Sequence, residues 1–363
     1  MIAVIADDFT GAAELAGISL RYGLTVELFL GGVTATNADV LIICTDSRSL
    51  KIENAINQTT NAIKNILELD PEFIYKKIDS VLRGYVIDEV KVQMKLCGFE
   101  KVLILPANPS LGRMINNGEY FIDGKRITET GFTADPEFPI RSSIITEMID
   151  NYAVSVLQNA DELPGRGIVI GEVTRREDIE QWLTVINEEW MLAGAGDFYA
   201  AILDKKYQAG AQPSPEVQLP HLYVCGTAFN ERKNYVKTLN EKQGCVVYMP
   251  GKITDSWMEQ TCEMLRKKNK AVVALHQATG DATELRLTMA KTVKGILERE
   301  NVKEIFIEGG STAAAVLNEL GIQKLSPVNE LKRGVVRMKA KDLFITVKPG
   351  SYKLPDQIKT LYM

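Results

Sequence analysis

Short apolar runs alternate with helical segments along almost the whole chain of 363 residues. Runs such as Ile2–Ala6, Val40–Cys44 and Phe73–Lys77 have the length of buried strands. Longer amphipathic segments, among them Ala12–Tyr22 and Ile52–Leu69, separate these runs. This order predicts the α/β class, with helices covering mostly parallel sheets.

A linker divides the chain into two predicted domains. Gln208–Pro220 contains three prolines and few large residues, which is typical of a domain boundary. The alternation of strands and helices starts again at residue 221. We therefore expect α/β domains over residues 1–208 and 221–363, joined by a linker over residues 209–220, with a ligand cleft between the domains.

Three further segments have less regular patterns. The sequence predicts a helix over Arg175–Met191 and another over Ser143–Asn151. It also predicts a long loop over residues 106–141, which prolines and glycines interrupt repeatedly. A long loop inside a compact domain is usually functional.

The composition is that of an ordinary globular protein, with 45% hydrophobic and 25% charged residues. A net charge of −5 gives no reason to expect nucleic acid or an acidic membrane as a partner. We expect no membrane span, because no apolar run approaches about 18 residues. The five cysteines form no C-x-x-C pair, so a cytoplasmic protein with reduced thiols is expected. The two histidines are too few for a zinc site and are predicted to be core or strand-edge residues.

Two adjacent carboxylates follow the first predicted strand. Asp7 and Asp8 come directly before Phe9, Thr10 and Gly11, at the start of a helix. Parallel α/β sheets bind ligands outside the carboxyl ends of their strands, so these residues suit a site that handles hydroxyl protons or holds a metal. An aspartate that caps the helix and a glycine that eases the turn would give the same pattern.

A second polar cluster ends the strand Phe73–Lys77. The segment from Lys76 to Gly84 holds two lysines, an aspartate, a serine and an arginine. Arginine offers a planar fork for a carboxylate or phosphate and lysine a point charge, so an anion site is the favoured interpretation. A solvated strand end with a helix cap is the alternative. The loop after the next strand adds Asn108 and Arg113, a weaker signal by itself.

Glycine-bearing turns end several strands in the second half. Phe306-Ile307-Glu308 leads into Gly309, Gly310 and a helix of small residues. Glycines let the backbone approach a phosphate, and a helix N-terminus favours negative charge. The alternative is a tight turn with a serine cap. Similar turns at Gly226 and Gly350 would lie on one edge of a parallel sheet, where a nucleotide could bind.

Taken together, these segments resemble the four-carbon acid sugar kinase family, ATP-dependent kinases of threonate- and erythronate-like acids. The resemblance spans nearly the whole chain and keeps the order of the motifs. Its two most specific motifs are Ala6–Ala12 and Lys76–Gly84. The supporting matches are Pro106–Pro109, Gly112-Arg113, Asp135-Pro136, Gly194–Gly196 and Gly309–Ala313.

The resemblance implies an N-terminal acid-sugar-binding domain and a C-terminal nucleotide-binding domain, with ATP and Mg²⁺ as cofactors. The implied sugar-acid ligands are Asp7, Asp8, Thr10, Lys77, Asp79, Ser80, Arg83, Asn108 and Arg113. The implied nucleotide ligands are Gly226, Thr227, Gly309, Gly310, Ser311, Thr312, Lys348 and Gly350. The metal ligands stay unassigned.

The implied activity is in-line transfer of a phosphoryl group to a hydroxyl of the sugar acid. Asp8 or Asp7 is expected to orient or deprotonate that hydroxyl. Side chains alternate along a strand end, so we expect one of the two to point at the ligand, without knowing which. The expected partners are the sugar acid and ATP, and a homodimer is left open.

Three departures from the family pattern lie in the second half. Thr227 stands where a serine is usual, Ser311 where an acid is usual, and Lys348–Tyr352 differs from the usual closing turn. They motivate an alternative function, a non-catalytic homologue that binds sugar acids and has a weakened ATP site. A dehydrogenase is disfavoured because no G-x-G-x-x-G fingerprint is present.

Overall fold

The computed structural model describes residues 1–33, 35–135, 138–150, 153–210, 215–227, 230–249, 255–275, 281–350 and 352–362. Contacts divide the chain into two units, one of residues 1–15 and 22–210 and the other of residues 16–21 and 211–363. No helix in the described ranges is long and apolar enough to cross a membrane.

The first unit is built around a parallel sheet. The strands up to residue 210 are β1 (Ile2–Ala6), β2 (Val26–Leu30), β3 (Val40–Cys44), β4 (Phe73–Lys77), β5 (Lys101–Leu105), β6 (Arg113–Asn116), β7 (Glu119–Ile122), β8 (Lys125–Arg126), β9 (Ser155–Leu157), β10 (Gly167–Gly171) and β11 (Trp190–Gly194). The helices are α1 (Phe9–Arg21), α2 (Ile52–Leu67), α3 (Val86–Cys97), α4 (Ile145–Met148), α5 (Arg176–Thr184) and α6 (Gly196–Asp204). The order β2-β3-β1-β4-β11-β5-β10-β9 is parallel throughout.

Helices cover both faces of this sheet, which is why every residue of β1 is buried. On one face Ile5 and Ile43 belong to the same core cluster as Ile63 and Ile66 of α2. On the other face the Tyr75 ring lies 6.0 Å from Phe198 and 5.1 Å from Tyr199 of α6, measured between ring centroids. Polar side chains therefore collect at the carboxyl ends of the strands.

The second unit repeats the α/β plan with a mixed sheet. Its strands are β12 (His221–Cys225), β13 (Val246–Met249), β14 (Lys270–Leu275), β15 (Glu304–Glu308), β16 (Lys324–Lys332), β17 (Val335–Ala340) and β18 (Leu343–Lys348). Its helices are α7 (Asn230–Gln243), α8 (Asp255–Lys268), α9 (Ala282–Arg299), α10 (Gly310–Glu319) and α11 (Asp356–Tyr362). The order is β13-β14-β12-β15-β18-β17-β16, parallel up to β18 and antiparallel beyond it.

The predicted α/β class with mostly parallel sheets is confirmed. Of the two histidines, His221 is fully buried in β12 as expected, and His276 lies outside the described residues. Pro136 and Ser351, which belong to two of the motifs, also lie outside them.

Three predicted elements were wrong. The helix predicted over Arg175–Met191 ends at Thr184, and Trp190 and Met191 begin β11, a fully buried strand between β4 and β5. The loop predicted over residues 106–141 contains the small antiparallel sheet β6-β7-β8. The helix predicted over Ser143–Asn151 is a single turn, α4, and Asn151 is outside the described residues.

The first turns of two helices contain residues of the motifs. Helix α1 starts at Phe9, so Thr10 and Gly11 lie in its first turn. Helix α10 starts at Gly310, with Gly309 as its N-cap in a positive-φ conformation of 111° that glycine adopts readily.

Candidate active site

The polar residues of the two most specific motifs meet at the carboxyl ends of neighbouring strands. Asp7 and Asp8 follow β1, and Asp79 and Arg83 follow β4. Strands β1 and β4 are paired in parallel, with Ala6 opposite Lys77. The same edge receives the turn after β3, because β3 pairs with β1 on the other side.

Asp8 caps the first turn of α1. Its Oδ1 accepts a hydrogen bond from the Gly11 amide at 2.9 Å, and its Oδ2 accepts one from the Thr10 hydroxyl at 2.5 Å. A side chain at Gly11 would not fit, because a Cβ there would lie 2.6 Å from Asp8 Oδ1 and 3.0 Å from Lys77 Nζ. Burial opposes ionisation, but the cations of Arg48 and Lys77 hold the pKa of Asp8 below its usual value.

Arg48, from the turn after β3, joins the two motifs. Its Nε and Nη2 both donate to Asp7 Oδ2, at 2.9 and 2.7 Å. Its Nη2 also lies 3.1 Å from Asp8 Oδ1, and its Nη1 3.6 Å from Asp79 Oδ1. One guanidinium therefore offsets the repulsion among three carboxylates.

Asp7 and Asp8 occupy different environments. The Asp8 side chain is 20% exposed and the Asp7 side chain 7%. Burial raises the pKa of Asp7, although the neighbouring Arg48 works in the opposite direction. Asp7 Oδ1 is buried and has no hydrogen-bond partner among the residues that the structure describes.

The Lys76–Gly84 segment is held by a second set of ion pairs. Arg83 Nε donates to Asp79 Oδ2 at 2.7 Å, and Arg83 Nη1 donates to Asp135 Oδ2 at 2.7 Å. Burial is outweighed by the Arg83 and Arg48 cations, so the pKa of Asp79 lies far below its usual value. Leu82 adopts a left-handed conformation, with φ at 61°, which is rare for a leucine and lies at the turn that presents Arg83.

The 106–141 segment brings Arg113 to the same cluster. Arg113 donates to the Ser80 hydroxyl, and Tyr120 donates to the Ser80 carbonyl at 2.6 Å. The Arg83 and Arg113 guanidinium carbons lie 5.2 and 5.7 Å from the centre of the Phe132 ring. Within the described residues, Arg113 has no carboxylate partner.

Lys77 and Asn108 have other neighbours. Lys77 Nζ donates to the Ile78 carbonyl at 2.7 Å and lies 3.9 Å from Glu14 of α1. Asn108 is fully buried, and its Oδ1 accepts from the Asp197 amide at the start of α6 at 2.8 Å. Its Nδ2 donor has no partner in the described part of the chain.

In the second unit, the predicted turns do lie on one sheet edge. Gly226 and Thr227 follow β12, Gly309 to Thr312 follow β15, and Lys348 and Gly350 end or follow β18, three strands that are neighbours in the sheet. The turns are in contact: a Cβ on Gly226 would lie 2.1 Å from Thr312 Oγ1. The Gly309 amide donates to the Lys348 carbonyl at 2.9 Å.

The Glu308 carboxylate, at the end of β15, contacts residues of β12, α7 and β18. Its buried carboxylate accepts from the Tyr223 hydroxyl at 2.5 Å and from Arg232 Nε at 2.9 Å, and lies 2.9 Å from Lys348 Nζ. Lys348 is fully buried, and its ammonium also donates to the carbonyls of Pro349, Gly350 and Tyr352 at 2.7, 3.2 and 2.5 Å. The Lys348 ammonium therefore fixes the closing turn from inside.

Three further residues contact the predicted site residues and were not among the sequence predictions: Arg48 and Glu14 in the first unit and Glu308 in the second. Arg48 follows Thr45, Asp46 and Ser47 after β3, so the rule that polar residues follow a strand could have found it. Glu308 is the last residue of β15, so its position at a strand end is a similar signal, whereas Glu14 lies within a helix and has none.

Two family models match the chain. The sugar-binding N-terminal domain covers residues 2–201, and the nucleotide-binding C-terminal domain covers residues 239–352. The chain belongs to the four-carbon acid sugar kinase family. The resemblance in its motifs is thereby confirmed.

This member of the four-carbon acid sugar kinase family is similar to relatives with kinase names. It is 25% identical over 404 residues to the D-threonate kinase of Salmonella typhimurium, covering 96% of this chain and 94% of the relative. It is 32% identical over 158 residues to the 3-oxo-tetronate kinase of Brucella melitensis, covering 41% and 36%. The solved structure of the Haemophilus influenzae protein HI1011 has the same fold, with a TM-score of 0.76, 19% identity and coverage of 99% and 98%.

Proposed function

We propose that this protein is an ATP-dependent kinase that phosphorylates a hydroxyl of a four-carbon sugar acid such as threonate or erythronate. The observation that carries the proposal is the cluster of carboxylates and guanidinium groups at the carboxyl ends of β1, β3 and β4. It combines acids that suit sugar hydroxyls with cations that suit a carboxylate. The near full-length similarity to a D-threonate kinase supports the same function.

The acid end of the substrate would bind to Arg113 and Lys77. Arg113 donates to Ser80, leaving its charge without a carboxylate partner in the described residues. Lys77 Nζ donates to the Ile78 carbonyl, and among the described carboxylates its ion-pair partner is Glu14, at a long distance of 3.9 Å. Arg83 already pairs with Asp79 and Asp135, so it would orient the loop and share its charge with the substrate. The unpartnered Asn108 Nδ2 is a further donor for a substrate oxygen.

Asp8 is the better candidate for the residue that touches the reacting hydroxyl. It is more exposed than Asp7 and stays ionised, as an acceptor of a hydroxyl proton must be. Thr10 fixes the Asp8 rotamer through its hydrogen bond. Asp7 would act by holding Arg48.

The nucleotide would bind at the turns of the second unit. Gly226, Gly309, Gly310 and Gly350 keep the backbone open to phosphate, and Thr227, Ser311 and Thr312 add hydroxyls beside the start of α10. Lys348 would contribute by shaping the turn. When bound, ATP supplies the phosphoryl group and Mg²⁺ neutralises its charge.

The described residues fit a magnesium ion held largely by phosphates. They include no group of three or more His, Cys, Asp or Glu that could hold a metal. Mg²⁺ usually keeps several waters and binds through one or two carboxylates together with substrate phosphates. We do not assign its protein ligands.

A cytoplasmic location and a homodimer stay predictions, as does the cleft between the domains. The five free cysteines support a reducing compartment. The net charge of −5 still argues against nucleic acid as a partner.

A coupled ADP-release assay with Mg-ATP and a panel of C4 and C5 sugar acids tests the proposal. We expect turnover with one or two acids, and a loss of about 10²- to 10⁴-fold in kcat for Asp8→Asn. Asp356→Asn, at an exposed aspartate paired with Lys359, is the matched control. No ADP release with any acid of the panel, together with acids that still raise the melting temperature, would favour the non-catalytic alternative. A normal rate in Asp8→Asn would remove Asp8 from its role.

A further inference from the structure

A buried ion pair lies behind the site and has no role in the proposed transfer. Lys76 Nζ of β4 lies 2.6 Å from Glu89 Oε2 of α3, and the two side chains are 0% and 2% exposed. Removing two charges from water is costly, and such a pair is weak evidence for stability. The pair therefore calls for another explanation.

Unpartnered polar atoms are concentrated around this pair. Within the described part of the chain, Lys76 Nζ has no hydrogen bond beyond its ion pair, and Glu89 Oε1 and both side-chain amide atoms of Gln93 have no partner. Gln93 lies one helical turn after Glu89, on the same face of α3. Buried polar groups are almost always partnered, so these residues form an unusual polar cluster in an otherwise apolar layer.

The polar cluster of Lys76, Glu89 and Gln93 lies on the same side of the sheet as Asp7. Strand register places Ile5 opposite Lys76, and Asp7, two residues after Ile5, continues on the same side of the strand. Asp7 Oδ1 is itself buried and has no partner in the described ranges. The charges facing Asp7 are Arg48 from the turn after β3, its neighbour Asp8, Lys76 from β4 and Glu89 from α3.

We propose that Lys76, paired with Glu89, is a positioning residue whose ammonium balances the Asp7 carboxylate from the buried side. An ionised Asp7 holds Arg48 through two hydrogen bonds to Oδ2. Arg48 in turn lies 3.1 Å from Asp8. Lys76 thus acts on the site through Asp7 and Arg48. Only the catalytic consequence rests on the proposed function.

Lys76 and Glu89 shift the pKa of Asp7 in opposite directions. Lys76 lowers the pKa of Asp7, and Glu89 raises it by a smaller amount. If Lys76 is removed, the pKa of Asp7 rises, because the larger of the two effects is lost. If Glu89 is removed, the pKa of Asp7 falls.

The test is titration of Asp7 by ¹³C NMR in protein labelled at the aspartate carboxyl carbons, with the signal assigned from Asp7→Asn. We expect the midpoint to rise in Lys76→Met and to fall in Glu89→Gln. Lys101→Met, which removes the partner of the exposed Glu189, is the control and should leave it unchanged. The same midpoint in all variants would overturn the inference.

A second variant covers the case in which Lys76→Met does not fold. The double variant Lys76→Met with Glu89→Leu replaces the pair by apolar side chains, which buried pairs often tolerate. Its Asp7 midpoint should also rise, and its kcat should fall at the acidic end of the pH range. An active wild type with unaltered variant midpoints contradicts this inference alone. An inactive wild type with the shifted midpoints contradicts only the proposed function.

Discussion

The Arg48 guanidinium binds carboxylates that belong to two different sequence motifs. Asp7 and Asp8 come from the turn after β1 and Asp79 from the turn after β4, and all three lie within 3.6 Å of Arg48 nitrogens. Like charges at such separations raise one another's pKa, so the cluster depends on this cation to stay ionised. The positions of the three carboxylates therefore depend on Arg48, which contacts them from the turn after a third strand, β3.

His221 gives a prediction at the residue scale. It is fully buried, its Nδ1 lies 2.8 Å from the Tyr362 hydroxyl, and burial together with Arg337 lowers its pKa to about 3. In the unfolded chain the His221 imidazole takes up a proton near pH 6.5, and in the folded chain it does not. The free energy of unfolding therefore falls as the pH drops below 6.5. Between pH 6.5 and 5 this amounts to about 2 kcal/mol.

Urea unfolding at several pH values checks this prediction. His221→Gln should lose less stability than the wild type between pH 6.5 and 5, by about the same amount. The carboxylates of the active-site cluster titrate in both proteins, so their contribution cancels in the difference. Parallel pH dependences in the two proteins would contradict a neutral, buried His221.

The residue types of the candidate site and their positions at strand ends could be predicted from the sequence. The ion-pair partner of each residue could not. The rule that ligands bind beyond the carboxyl ends of parallel strands pointed to Asp7, Asp8, Asp79 and Arg83. That Arg83 pairs with Asp135, 52 residues later, depends on how a small antiparallel sheet packs, and no periodicity encodes it. Which side chains neutralise one another is decided by tertiary contacts.

At the scale of elements, the glycine turns after β12, β15 and β18 contact one another, so a change in one turn should move its neighbours. Gly226→Ala would place a Cβ 2.1 Å from Thr312 Oγ1 and 2.7 Å from Thr312 Cβ, so α10 must shift. We expect a stability loss of about 1–3 kcal/mol and a rise of tenfold or more in KM for ATP. Gly165→Ala, whose Cβ would meet nothing within 4 Å, is the control.

Steady-state kinetics with either substrate varied checks this prediction. The KM for the sugar acid should stay near its wild-type value in Gly226→Ala, because the change is confined to the nucleotide turns. Equal rises in both KM values would contradict the separate role of this edge.

The missed strand β11 shows why element prediction failed where it did. Trp190-Met191-Leu192-Ala193-Gly194 follows a helix after only five residues and has no β-branched residue. Its strand conformation comes from pairing with β4 and β5 on both sides, a long-range effect that overrides local preference. Strands such as Val40–Cys44, rich in Val and Ile, were predicted to the residue.

At the scale of the whole molecule, each unit has its own hydrophobic core, so ligand effects should be separable. A ligand at 100 times its Kd stabilises the unit that binds it by about 2.7 kcal/mol. In scanning calorimetry we expect a sugar acid and a non-hydrolysable ATP analogue to shift different transitions upward. Arg113→Ala should abolish only the first shift and Gly226→Ala only the second. A variant that loses both shifts would contradict this assignment.

The position of β11 also bears on how the chain is made. The sheet of the first unit places β11 between β4 and β5, although β11 is the last of its strands to be synthesised. A nascent chain that stops before Trp190 leaves β4 and β5 with unpaired edges, which are templates for wrong pairing. The ribosome must therefore release nearly the entire first unit before Lys77 and its neighbours are paired on both sides, and until then the two central strand edges of this half stay exposed.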